Sequence, residues 1–63
     1  MSDNEARLNG WTRELMCSDG RGNEIHILVD PDIDLDTRFR AWECDNQEIV
    51  VINGGMCEFH RID

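Results

Sequence analysis

The clearest order along the chain is a two-residue rhythm. In EIHILV, Ile25, Ile27 and Val29 alternate with Glu24, His26 and Leu28, so one face is wholly apolar. That is the period of a strand lying on a core. Before it, SDGRGN at residues 18–23 packs turn formers behind WTRELMC, which predicts a hairpin. RFRAWEC and EIVVI flank the short polar break DNQ and predict a second hairpin. EIVVI is β-branched throughout its apolar run, the pattern of a central strand buried on both faces. NGG at residues 53–55 supplies another turn, and MCEFHRI a last strand.

Two segments admit two readings each. SDNE at residues 2–5 has the form of a capping box, and Leu8, Trp11 and Leu15 follow at helical spacing. Asn9-Gly10 interrupts that helix, so the expectation is a frayed or short helix over residues 1–10, then a strand from Trp11 to Cys17. Over residues 31–43, a helix capped by Asp30 with Pro31 in its first position would pair Asp34 with Arg38 and Asp36 with Arg40. As a strand, Ile33, Leu35, Thr37, Phe39 and Ala41 line one side, with Asp34, Asp36, Arg38 and Arg40 on the other. The strand is preferred, because the alternation persists for nine residues and the hairpins need a partner. The predicted fold is mostly β: a small antiparallel sheet or barrel of about five strands. It leaves room for one short helix, at the N-terminus or around residues 31–43.

Length sets the scale of what this fold can hold. The 63 residues make one small domain, residues 1–63, and chains of this size bury only ~60% of the surface they expose when unfolded. A thin core of this kind is a poor frame for a deep substrate pocket, which counts against an enzyme. The longest aliphatic run, Ile49 to Ile52, is far short of the ~20 residues of a membrane helix. The polar, acidic start MSDNEARLNG does not have the form of a secretory signal. The expectation is a cytoplasmic protein without membrane contact, its three cysteines (Cys17, Cys44, Cys57) reduced.

Charge narrows the function classes further. Fourteen acids face six bases, a net −8, and every base is arginine. Such a balance argues against direct binding to nucleic acid or to an anionic membrane, both of which need a basic face. The acids are unevenly spread. DPDIDLD, residues 30–36, places Asp30, Asp32, Asp34 and Asp36 at every second position and carries half of the net charge.

On a strand those four side chains would share one face at a spacing of ~6.6–6.8 Å, a negative rail comparable to successive phosphates. Pro31 works against a straight rail, since Asp-Pro favours the start of a turn. Glu43, Asp45 and Glu48, around DNQ, would extend the patch if that hairpin end lies close by. Trp42 shares the face of Arg38 and Arg40 on the strand reading and is a candidate interface anchor, with burial beside Phe39 or Trp11 as its alternative.

Metal and catalytic chemistry find little purchase. From Asp32, the spacing approaches an EF-hand loop, but Thr37 stands where that loop needs glycine, and Arg38 and Arg40 would bring positive charge to the cation. Cys57 and His60 form the only short zinc-type pair, and residues three apart on a strand point to opposite faces. The same divergence argues against a Cys57–His60 nucleophile and base. GRG and NGG are too short for phosphate loops. No catalytic residue, metal or cofactor is expected.

In its small size, acidity and lack of an enzymatic motif, the chain resembles the small inhibitors that phages and mobile elements encode against host defence, anti-CRISPR proteins among them. Several such inhibitors mimic nucleic acid and occupy the basic channel of an effector complex. The resemblance implies that Asp30, Asp32, Asp34 and Asp36, with Trp42, Glu43, Asp45 and Glu48, face a host protein's basic, nucleic-acid-binding groove. The competing expectation is an acidic protein-interaction module unrelated to nucleic acids.

Overall fold

A computed structural model describes residues 1–18 and 21–61. One short helix, α1 (Asp3–Leu8), precedes five strands: β1 (Arg13–Ser18), β2 (Glu24–Val29), β3 (Arg38–Glu43), β4 (Glu48–Asn53) and β5 (Glu58–Arg61). A 3-10 turn over Gly54–Met56 joins β4 to β5. All pairings are antiparallel, in the order β4-β3-β2-β1-β5. The mostly β fold of five strands with one N-terminal helix is the one the hydrophobic pattern predicts. Residues 19 and 20 of the expected hairpin turn, and Ile62 of the expected last strand, lie outside the described residues.

The sheet is open but must be strongly curled. In a flat sheet the two edge strands, β4 and β5, would lie about 19 Å apart. The five-residue step from Asn53 to Glu58 reaches at most ~17–18 Å even when fully extended, and here it contains a compact 3-10 turn. Short linkage therefore enforces curvature, and curvature creates an inside.

That inside holds the main core: Leu15 and Cys17 from β1, Ile27 and Val29 from β2, Phe39 and Ala41 from β3, and Ile52 from β4. Ile25, Val50, Cys57 and Phe59 pack against it, with the Phe39 and Phe59 rings 5.8 Å apart. Alternation on the strands sends Leu28 and Trp42, which are register partners, to the outer face. There they are covered by Ala6 of α1, with Trp11 and Cys44 at the rim.

Local rules explain why α1 is short. The Ser2 hydroxyl accepts from Glu5 N at 3.3 Å, the N-cap that the SDNE pattern announces. Gly10, at φ +99°, does not interrupt the helix but ends it. Its N–H donates to Arg7 O and that of Trp11 to Ala6 O, both at 3.1 Å, the two bonds of a Schellman motif. Trp11 packs against the small outer cluster that contains Ala6. The strand then starts at Arg13, two residues later than the pattern suggested.

Two strand expectations need correction. EIVVI does not form a central strand; β4 is an edge, and Ile49 and Val51 are 52% and 51% exposed. Its apolar run reports an uncovered outer face, not burial on both sides. The predicted strand through residues 31–37 does not form either, and neither does the alternative helix: β3 begins only at Arg38.

Candidate functional site

Between β2 and β3 the acidic stretch folds into two successive turns. Asp30 O accepts from Ile33 N at 3.1 Å, with Pro31 in the position where its fixed φ suits a β-turn. The Asp30 carboxylate accepts from Asp32 N, and that of Asp34 from Asp36 N, each at 2.9 Å. The Thr37 hydroxyl donates to Asp34 O at 3.1 Å. Side-chain bonds to the backbone two residues on compete with a ladder, and here they win because Pro31 offers a ladder no N–H.

The alternation nevertheless keeps its meaning. Ile33 and Leu35 pack half-buried against the main core, while Asp30, Asp32, Asp34 and Asp36 are all exposed. The loop is pinned beyond its own turns. Gly54 N donates to Thr37 O at 3.0 Å, and a side chain at Gly54 would overlap the Leu35 carbonyl. Arg13 reaches Pro31 O at 3.4 Å from β1. Four carboxylates thus stand on an anchored knob, not on a straight rail, and phosphate-like spacing is lost with the strand.

The remaining candidates separate. Asp45 and Glu48 are exposed at the far end of β3 from the acidic loop, a strand length of about 17 Å away. Glu43 is buried, 6% exposed, and accepts from Asn46 Nδ2 at 3.0 Å, so it holds the β3–β4 turn. Trp42 is 2% exposed beneath α1, and its indole N–H donates to Asp3 at 2.6 Å. Burial removes both Trp42 and Glu43 from any contact surface. Of their alternatives, Trp42 takes the neighbourhood of Trp11, not that of Phe39.

Between the two acidic ends lies a patch that the alternation pattern does not single out. Arg38 and Arg40 are exposed on the outer face of β3, in register with Asn53 and Val51 of β4. Neither guanidinium has a hydrogen bond or ion pair among the described residues. Arg40 also borders a depression of about 310 Å³ with Trp11, Asp30, Asp32 and Ile33. Arg38, Arg40, Phe39 and Val51 line another of about 390 Å³. The signal that could have exposed this patch was EIVVI itself, had it been placed at an edge.

None of the three cysteines is disulfide-bonded. Burial raises the Cys44 thiol pKa, and the negative charges of Asp3, Glu14 and Asp45 raise it further against a smaller opposing effect of Arg7. Arg7 itself is paired with Glu14 at 3.2 Å. Cys57 lies at the end of the 3-10 turn against the core, while His60 is exposed on β5 opposite Met16. No group of three or more metal-ligating side chains converges among the described residues. No helix among them is long and apolar enough to cross a membrane. Compared with protein-family models, curated proteins and solved structures, the chain gives no match.

Proposed function

We propose that this protein is a small, non-catalytic acidic inhibitor that inserts its 30–36 loop into a basic groove another protein uses for nucleic acid. The observation that carries this reading is the anchored loop, with four exposed carboxylates on seven residues. Anchoring matters energetically, because a loop held by its own turns and by Ile33 and Leu35 loses little freedom on binding. A concentrated negative charge also speeds encounter with a basic surface. On this reading the protein acts in the cytoplasm of the cell that holds the target, as the phage-encoded inhibitors it resembles do.

The test is competition. Excess protein should displace a labelled oligonucleotide from its nucleic-acid-binding target, and the displacement should weaken steeply between low and physiological salt. Asp32 and Asp36 make no side-chain bond among the described residues, so Asp32→Asn with Asp36→Asn removes charge without touching the turns. Undiminished competition by that variant would sink the proposal. A second reading, a protein-interaction module unrelated to nucleic acids, is favoured by one specific observation: the exposed apolar edge of β4.

A further inference from the structure

Edge strands expose unpaired N–H and C=O groups, and natural folds blunt them with charge, proline, bulges or brevity. β5 follows that rule, with four residues and the exposed polar side chains Glu58 and His60. β4 does not. It is six residues long, carries Ile49, Val50, Val51 and Ile52 in succession, and leaves Ile49 and Val51 half exposed. Met56, 79% exposed, continues the apolar surface past its end. Val51 borders two depressions, one also lined by Arg38 and Arg40 and the other by Arg21, Asn53 and Met56.

We infer that the open edge of β4 is a docking site for an extended protein segment, added as a sixth strand, that carries both apolar and acidic side chains. The register states the chemistry. Residues of the added strand opposite Val50 and Ile52 would point inward, where apolar side chains extend the core. Those opposite Val51 and Asn53 would point outward, in line with Arg40 and Arg38 one strand further in. The span from β3 to the added strand is ~9.6 Å, which an arginine and a carboxylate bridge across the short Val51 side chain. Carboxylates at i and i+2 therefore match two guanidinium groups that have no partner among the described residues. Opposite Ile49, where β3 offers the buried Trp42, an apolar residue fits.

A second copy of this chain fits the edge less well. Antiparallel pairing of β4 with itself sets the C-terminal end of one strand beside the N-terminal end of the other. The outward side chains it brings are again Ile49, Val51 and Asn53, none of them a carboxylate for Arg38 or Arg40.

The probe is a labelled synthetic peptide containing Asp-Val-Asp-Val-Val, read antiparallel so that its first aspartate faces Asn53. Titration into the isotopically labelled full chain should shift and protect the β4 amides. Arg38→Gln and Arg40→Gln should each weaken binding about two- to fivefold, the range of an exposed ion pair. A peptide with asparagine in place of aspartate should bind more weakly to the parent protein, and to the double arginine variant no differently from the aspartate peptide. Equal binding of both peptides to the parent, or shifts centred away from β4, would overturn the inference. So would sedimentation of the protein alone as a dimer with β4 amides already protected, because a second copy would then hold the edge. Asp34→Asn separates this site from the loop proposal: it should reduce competition with nucleic acid and not weaken the peptide.

Discussion

The indole N–H of Trp42 donates to the Asp3 carboxylate at 2.6 Å, joining α1 to β3 across 39 residues of sequence. This single bond latches the helix over Leu28 and satisfies the one polar group of a buried indole. Asp3→Ala should leave the indole donor unsatisfied and lower stability by ~1–3 kcal/mol in urea unfolding. Asp3→Asn keeps an acceptor and should cost less. Equal losses for the two variants would mean that the bond contributes nothing beyond charge.

Glycine at two positions does different work. Gly10 ends α1 at φ +99°, and a Cβ built there would meet nothing within 4 Å. Gly10→Ala should therefore cost ~1 kcal/mol, the cost of the backbone conformation alone. Gly54→Ala would drive a methyl group into the Leu35 carbonyl and to 2.7 Å from Thr37 O. It should cost about 3 kcal/mol or more, since backbone on both sides has to move. Comparable melting temperatures for the two variants would contradict this ranking.

Within the acidic loop, charge and turn geometry can be separated. Asparagine still accepts a bond from the backbone two residues on, and alanine does not. Asp30→Asn and Asp34→Asn should therefore hold stability within ~0.5 kcal/mol, while Asp30→Ala and Asp34→Ala each lose ~0.5–1.5 kcal/mol. Hydrogen exchange at the Asp32 and Asp36 amides reads the same difference site by site.

The chain contains no lysine and no tyrosine, so neither residue type overlaps the titration of the Cys44 thiol. The folded Cys44 thiol holds its proton above the ordinary value of 9.0. Its contribution to stability is full below 9.0 and is lost as pH rises through that value toward the folded one, because unfolding then releases a proton. Urea midpoints should fall in that window, and Cys44→Ala should flatten the fall. Alkylation of Cys44 at neutral pH should be slow, since the thiolate is the nucleophile.

Ile49→Thr with Val51→Thr keeps β-branched side chains on β4 but removes its exposed apolar stripe. Stability should change by no more than about 0.5 kcal/mol for each exposed site. Aggregation on heating should begin later, as measured by light scattering. Unchanged aggregation would show that the β4 edge is not the sticky surface.

Much of this fold was legible in the sequence because strands announce themselves by alternation. β2 and β3 fall within predicted runs, β1 and β4 outrun theirs by one residue each, Ser18 and Asn53, and Ser2 caps a helix as its motif requires. What alternation does not encode is neighbourhood. EIVVI reads the same at the centre of a sheet or at its rim, and only the order β4-β3-β2-β1-β5 decides. In DPDIDLD the in-and-out assignment of Ile33, Leu35 and the aspartates was correct while the backbone was not, since two turns reproduce a strand's alternation. Trp42 was hidden for a third reason: what covers it is α1, more than thirty residues earlier in the chain.

The separation of the two apolar clusters by the sheet also divides the molecule optically. Both tryptophans lie with α1 on the outer face, the main core holds only phenylalanine rings, and tyrosine is absent. Intrinsic fluorescence therefore watches the helix leave the sheet, while far-ultraviolet dichroism watches the strands themselves. If the two signals change at one denaturant concentration, the outer helix and inner core melt as a single cooperative unit. If fluorescence changes earlier, the Asp3–Trp42 latch opens on an intact sheet, and the domain has a detachable lid without any change in its strands.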